Sequence, residues 1–195
     1  MKRFETLILS ALVALSAFAQ RIPDSDWPRY TRDLGGMRYS PLNQINPRNV
    51  NKLERAWTYR LRPEAERATV AGGFGYTEVV PIVVNGVMYI TAGKRVIALE
   101  PETGKELWVH EAKNNVSTRG VAYWPGDANN PPRIISTAGR TLFALNAKTG
   151  KTDPGFGKEG EVDMVVPYNS PPTIYRNLLI VGANVPEMQG PNALP

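Results

Sequence analysis

The sequence of 195 residues contains no cysteine and only one histidine, His110. Without thiols there can be no disulfide, no thiolate zinc site and no cysteine nucleophile. A Ser-His-Asp triad would have to use His110. If the protein is an enzyme, its chemistry must therefore come from carboxylates, oxygen-bound cations or an organic cofactor.

Long apolar runs and concentrated charge are also scarce. One run, Leu7 to Ala17, is strongly apolar, and no later run reaches the roughly 18 residues of a membrane-spanning helix. The net charge of +5 comes from basic residues that are dispersed along the chain. This distribution allows an anionic ligand but does not indicate nucleic acid as a partner.

The first nineteen residues have the features of a secretory signal peptide. Lys2 and Arg3 precede the apolar run, and Ala17-Phe18-Ala19 is a small-x-small cleavage pattern. We expect cleavage after Ala19, which would leave residues 20–195 outside the cytoplasm. The alternative is an uncleaved membrane anchor.

Glycine and proline are abundant, at 17 residues each, and they occur at the turns of an internal repeat. The stretch from Thr91 to Lys105 recurs as Thr137 to Lys151 at an offset of 46, with Ala-Gly, Ala-Leu and Thr-Gly-Lys matched. A third copy begins at Pro172, which matches Pro81 at an offset of 91. Two matched copies and the start of a third indicate an internal repeat and not chance similarity.

Each copy predicts four short strands. In the first copy, Asn85-Gly86 is a strong hairpin signal between two apolar strands. The four predicted strands are Val79 to Val84, Val87 to Thr91, Val96 to Leu99 and Leu107 to Val109. Four short strands in about 46 residues indicate a β-propeller blade. Because propellers close with about 4 to 8 blades, and this chain supplies about three, we expect it to be the N-terminal part of a longer propeller.

Three segments carry a family resemblance. Ala98-x-Glu100-x-x-Thr103-Gly104-x-x-x-Trp108 resembles the tryptophan-docking motif of the eight-bladed quinoprotein dehydrogenases. The segments Trp27 to Leu42 and Arg119 to Asp127 are similar to the same family, and the resemblance covers residues 26 to 191. It implies an all-β, eight-bladed β-propeller and places Trp57 and Trp108 between adjacent blades.

The resemblance also implies an activity. Members of this family use pyrroloquinoline quinone (PQQ) with Ca²⁺ or another divalent or lanthanide cation to oxidise a sugar or an alcohol in the periplasm, and pass electrons to a quinone or cytochrome c. The absence of the vicinal cysteines of methanol dehydrogenases, and Pro154 where a docking tryptophan would stand, favour the glucose-dehydrogenase branch. The family's catalytic Asp belongs to later blades, so we assign no catalytic residue here and expect the chain alone to be inactive.

The candidate site lies where the first strands of the copies begin. These strands line the central channel of a propeller, so residues that precede them should meet at one mouth. Glu78, Arg119 and Ser170 are the predicted cofactor-binding residues, with Asn169 an equal choice to Ser170. Arg119 would bind a carboxylate or quinone oxygen through its planar fork. For each residue the alternative is an ordinary surface side chain.

The chain after Val181 should return to the same mouth, because the second strand of a copy runs antiparallel to the first. Asn184 is a further predicted cofactor ligand there. The resemblance implies that Glu187 binds the metal ion, with an exposed loop residue as the alternative.

The sequence also predicts the positions of His110 and of the segment Trp124 to Asp127, and it allows two other functions. We expect His110 on a solvated strand face, and Trp124 to Asp127 in a turn. A noncatalytic propeller scaffold or a sugar-binding propeller could carry the same docking repeats without a cofactor.

Overall fold

A computed structural model describes residues 22–62 and 78–183 of the chain. Across these residues the secondary structure is ten β-strands and one short 3-10 turn, Val50–Lys52. The predicted signal peptide lies outside the described residues. No helix in the described part is long and apolar enough to cross a membrane.

The strands form three antiparallel sheets, and within each sheet neighbouring strands follow chain order. The first sheet, blade 1, contains β1 (Ile82–Val84), β2 (Val87–Ala92), β3 (Arg95–Leu99) and β4 (Glu106–Glu111). The second, blade 2, contains β5 (Ala122–Trp124), β6 (Arg133–Ala138), β7 (Thr141–Asn146) and β8 (Glu161–Asp163). The third sheet pairs β9 (Thr173–Tyr175) with β10 (Leu178–Ile180). The repeat thus corresponds to four-stranded meanders, as predicted.

The first hairpin shows why the chain turns where it does. Asn85 and Gly86 have φ values of 50° and 74°, and they join β1 to β2 with Val84 opposite Val87. Two successive residues with positive φ are typical of a type I′ turn, whose twist matches that of the strands. The Asn-Gly pair therefore sets the register between β1 and β2.

The predicted turn at Trp124 is wrong in its first residue. Trp124 ends β5, opposite Arg133, and is only 8% exposed. Its indole Nε1 donates to the carbonyl oxygen of Arg176, at 3.2 Å, beyond β9. Burial of a large aromatic side chain against the third sheet favours the strand over the turn.

The core lies between the sheets, so the central strands are buried on both faces. One cluster joins blade 1 to blade 2 and includes Val96, Ala98, Ile134 and Leu145, all fully buried. A second cluster, around Trp124, packs blade 2 against Ile174 and Leu179 of the third sheet. Since each blade covers the apolar face of the next, neighbouring blades stabilise one another.

Candidate functional site

Three of the predicted site residues meet at the start of the inner strands. Arg119 Nε donates to Glu78 Oε2 at 2.7 Å, and Arg119 Nη1 donates to Ser170 Oγ at 3.0 Å. Glu78 precedes β1, Arg119 precedes β5 and Ser170 precedes β9. One guanidinium therefore bridges the beginnings of three successive sheets.

Backbone and amide hydrogen bonds hold these three segments together. The Glu78 N–H donates to the Thr118 carbonyl at 3.3 Å, which ties blade 1 to blade 2. The Thr118 N–H donates to Asn169 Oδ1 at 3.0 Å, and Asn169 Nδ2 donates back to Thr118 Oγ1 at 3.2 Å. Of the two alternatives at this position, Ser170 contacts Arg119, whereas Asn169 fixes the residue beside it. Thr118 was not among the predicted site residues, although it directly precedes Arg119 in the sequence.

Gly120 allows the segments to approach this closely. It has a φ of 104°, and a Cβ atom there would lie 2.8 Å from the carbonyl oxygen of Val80. Any other residue would be strained in conformation and would push the blades apart. The glycine in the Arg-Gly motif therefore keeps Arg119 within reach of Glu78.

The site presents a fixed positive group to solvent. The Arg119 and Glu78 side chains are 56% and 40% exposed. The hydrogen bond to Glu78, followed by its negative charge, raises the pKa of Arg119. Arg119 Nη2 makes no hydrogen bond with the described residues, so it can donate to a ligand.

A cavity of about 350 Å³ adjoins this cluster. Its walls come from the inner strands and from the N-terminal segment, which runs beside β1 because Trp27 pairs with Val83. Arg119 forms part of its lining. The cluster and the cavity therefore form one continuous surface along the inner strands.

Trp108 lies between blades 1 and 2, as predicted, and Trp57 packs on blade 1 from the segment that precedes it. Trp57 Nε1 donates to the Pro101 carbonyl at 3.0 Å, and its ring covers Gly104. Trp108 Nε1 donates to the Ala147 carbonyl at 3.1 Å, and its ring covers Gly150. Both tryptophans thus contact the glycine of a Thr-Gly-Lys segment.

The expectation for His110 is wrong. Its Nδ1 lies 3.1 Å from the Gly150 carbonyl oxygen, and its ring stacks on Phe143 with centroids 5.7 Å apart. His110 shares a strand face with Trp108, and this face turns toward blade 2. The alternation of a strand thus places His110, which is half-buried, on the face that packs against blade 2.

Two predicted residues, Asn184 and Glu187, lie outside the described residues. In the ranges 22–62 and 78–183, no group of three acidic, histidine or cysteine residues is arranged to hold a metal ion. The metal and cofactor roles of Asn184 and Glu187 stay predictions.

The sequence and the fold both identify relatives. Residues 27–194 match the family model of the PQQ glucose/ethanol/alcohol dehydrogenase β-propeller domain. The chain belongs to this family. Its sheets are accordingly part of a quinoprotein β-propeller.

Individual relatives agree with this assignment. Quinoprotein glucose dehydrogenase A of Acinetobacter calcoaceticus is 36% identical over 186 residues, which cover 78% of this chain and 23% of that protein. The structure of quinohemoprotein alcohol dehydrogenase from Comamonas testosteroni has a TM-score of 0.65 and 28% identity, over 87% of this chain and 25% of that one. A europium-containing methanol dehydrogenase shares the fold, with a TM-score of 0.64 and 23% identity, over 89% of this chain and 29% of that one. The chain thus spans about a quarter of the length of the first two.

Proposed function

We propose that this chain is the N-terminal part of the propeller of a periplasmic PQQ-dependent dehydrogenase, which oxidises a sugar or an alcohol and passes electrons to a quinone or cytochrome c. The contact of Arg119 with both Glu78 and Ser170 carries the proposal. Relatives named as glucose and alcohol dehydrogenases support it. In this proposal the remaining blades supply the rest of the site.

The donor set of the cluster fits PQQ, a planar quinone with three carboxylates. Arg119 would hold a carboxylate or quinone oxygen through Nη2 and the second N–H of Nη1, because the Nε–H and one N–H of Nη1 are already used. The Ser170 hydroxyl accepts from Arg119, so its own proton is available to donate to the cofactor. When bound, PQQ supplies the quinone that accepts hydride from the substrate carbon.

Glu78 would act on Arg119 and not on the substrate. Its 2.7 Å ion pair fixes the direction of the guanidinium before a ligand arrives. A side chain that is already ordered loses less entropy on binding. Glu78 therefore orients the group that would bind the cofactor, while Asn184 and Glu187 are proposed to contribute a hydrogen bond and a cation ligand.

The glucose-dehydrogenase branch is the proposed subgroup. In place of a docking tryptophan, blade 2 has Pro154 followed by Gly155 and Phe156, and Phe156 packs against the core of that blade. The chain also lacks the cysteines that the resemblance associates with methanol dehydrogenases.

PQQ binding tests the proposal. In the longer protein that carries this chain at its N terminus, we expect Ca²⁺-dependent PQQ binding, measured by fluorescence titration. Arg119→Lys should weaken binding by about tenfold or more, because an ammonium ion keeps the charge but loses the planar fork. The matched control is Arg140→Lys, since Arg140 is an exposed arginine that also bonds a carboxylate, that of Asp163.

Two results would contradict the proposal. Absence of PQQ binding by the longer protein would favour a noncatalytic scaffold or a sugar-binding propeller. PQQ-dependent dye reduction by the 195-residue chain alone would show that the later blades are not required.

A further inference from the structure

We propose that Asn169 is a positioning residue for the cofactor site and that it acts on Arg119 through Thr118. The inference deepens the proposed function, and it rests on that function only where it concerns affinity for PQQ. It depends on how the segment before the third sheet pairs with the segment before blade 2.

Two pairs of consecutive residues face each other across this boundary. Thr118 and Asn169 share two hydrogen bonds: the Thr118 N–H donates to Asn169 Oδ1 at 3.0 Å, and Asn169 Nδ2 donates to Thr118 Oγ1 at 3.2 Å. In the next pair, Arg119 Nη1 donates to Ser170 Oγ at 3.0 Å. Because the pairs are adjacent in sequence, the first pair sets the distance across which the guanidinium must reach the hydroxyl.

The buried strands of blades 1 and 2 hold the segment on its other side through Ser117. Ser117 is buried, its N–H donates to the Thr137 carbonyl at 2.8 Å, and its own carbonyl accepts from Thr91 Oγ1 at 2.7 Å. The Ser117 hydroxyl oxygen accepts from the Arg119 N–H at 3.2 Å. Blades 1 and 2 thus fix one side of the segment, and the contact with Asn169 ties it to the third sheet.

An asparagine suits this contact because a carboxamide accepts and donates at the same time. Asn169 is exposed, so its replacement should leave the buried core intact. The Glu78 N–H bonds the Thr118 carbonyl and does not involve the asparagine side chain. Removal of the carboxamide would therefore release Thr118 from the third sheet while its bond to blade 1 remains.

The alternative role for Asn169 is direct contact with the cofactor. A direct ligand would contribute to binding independently of Arg119, whereas a positioning residue contributes only through it. A double-mutant cycle separates the two roles, because residues that act through one another have non-additive effects.

Fluorescence titration of the longer protein with PQQ provides this cycle. We expect Asn169→Ala to weaken PQQ binding by about fivefold, since two neutral hydrogen bonds are lost. In the Arg119→Lys background, the same change should weaken binding by less than about twofold, because the planar fork that Asn169 aligns is already gone. Thr118→Val removes one of the two bonds and should have a smaller effect. Thr118→Ser, which keeps the hydroxyl, should restore most of the affinity lost in Thr118→Val.

Asn49→Ala is the matched control. The Asn49 carboxamide also accepts a backbone N–H, that of Asn46 at 2.8 Å, and donates to a backbone oxygen, that of Gln44 at 2.6 Å. It makes these bonds within its own loop. Its removal should therefore leave PQQ affinity unchanged.

A crystal structure of the longer protein without PQQ tests the positioning independently of the cofactor. In Asn169→Ala we expect the Arg119 guanidinium to lose its bond to Ser170 and to keep its ion pair with Glu78. In Asn49→Ala both contacts should remain as they are in the wild type.

The outcomes separate the inference from the proposed function. Loss of the bond between Arg119 and Ser170 in Asn169→Ala supports the inference even if the longer protein does not bind PQQ, in which case only the proposed function fails. If that bond is unchanged, or if the two substitutions weaken PQQ binding additively, Asn169 does not act through Arg119 and the inference is wrong. If Asn169→Ala did not fold, the same two measurements on Thr118→Val would decide.

Discussion

At the scale of single residues, the most buried ion pair in the described part of the chain lies away from the mouth. Arg133 Nε donates to Asp153 Oδ2 at 2.6 Å, and both side chains are only 10% exposed. The guanidinium also lies over the rings of Trp124 and Phe156, at 5.0 and 6.0 Å. Asp153 directly precedes Pro154, the position at which the docking tryptophan is missing. The ion pair therefore joins the loop after β7 to β6.

Removing the carboxylate should therefore destabilise the chain strongly. We expect Asp153→Asn to lower the free energy of unfolding at pH 7 by about 3 kcal/mol, because the change leaves Arg133 as an uncompensated buried charge. Asp163→Asn is the matched control. It breaks the exposed pair with Arg140, which should cost less than about 1 kcal/mol. Urea unfolding followed by circular dichroism measures both.

The contribution of Asp153 to stability should depend on pH in a defined direction. Burial acts to raise the pKa of Asp153, but hydrogen bonds from Arg133 and the Gly155 N–H hold it below its ordinary value. A lowered folded-state pKa stabilises the fold above the unfolded pKa of about 4, and that contribution is lost as pH falls through the folded value. The difference between wild type and Asp153→Asn should thus shrink at pH 3. An equal difference at both pH values would refute the ion-pair explanation.

Some site residues could be predicted from the sequence, and others could not. The meeting of Arg119, Glu78 and Ser170 was predictable because each lies three or four residues before the inner strand of its sheet. The pair of Arg133 and Asp153 was not, because the two residues lie on different elements and belong to no repeated motif. A contact made by irregular loops leaves no periodic signal.

At the scale of elements, the contact between a tryptophan and a glycine determines how blades stack. Gly104 and Gly150 have φ values of 71° and 69°, and each lies beneath a tryptophan ring. A Cβ atom at Gly150 would lie 2.5 Å from Trp108 Cε3. The glycine in each Thr-Gly-Lys segment is thus required by the backbone conformation and by the ring above it.

Gly150→Ala separates these two requirements when it is compared with Gly139→Ala. Gly139 has a similar φ of 63°, but a Cβ atom there would meet nothing within 4 Å. We expect Gly139→Ala to cost about 1 kcal/mol from conformation alone, and Gly150→Ala about 1–3 kcal/mol more from the clash with Trp108. Tryptophan fluorescence during urea unfolding measures the difference. Equal costs would show that the ring moves aside freely.

At the scale of the whole molecule, the repeat predicted the blades but not the channel. The 46-residue period fixes the meander because each copy carries the same turn residues. The N-terminal segment lies on the channel side of blade 1 because Trp27 pairs with Val83 of β1. Nothing in the sequence of Trp27 to Leu42 indicates that pairing partner. Long-range pairing of one irregular segment therefore created a cavity that the repeat could not reveal.

The boundary between blades 1 and 2 should respond to pH through His110. Burial lowers the pKa of His110, although the bond to the Gly150 carbonyl and the charge of Glu161 act in the opposite direction. The unfolded histidine, with a pKa of about 6.5, therefore takes up a proton more readily than the folded one. Stability should fall as pH decreases through this value.

Thermal unfolding at a series of pH values tests whether stability falls as the pH decreases. Between pH 8 and pH 5.5 we expect the wild-type Tm to decrease more than that of His110→Gln, which retains a donor for the Gly150 carbonyl but does not titrate. The chain has no other histidine, so the difference between the two curves reports His110. If the wild-type Tm instead rose relative to the variant as pH decreased, the attraction of Glu161 would outweigh burial. The boundary between the blades would then be held by charge and not by the exclusion of water.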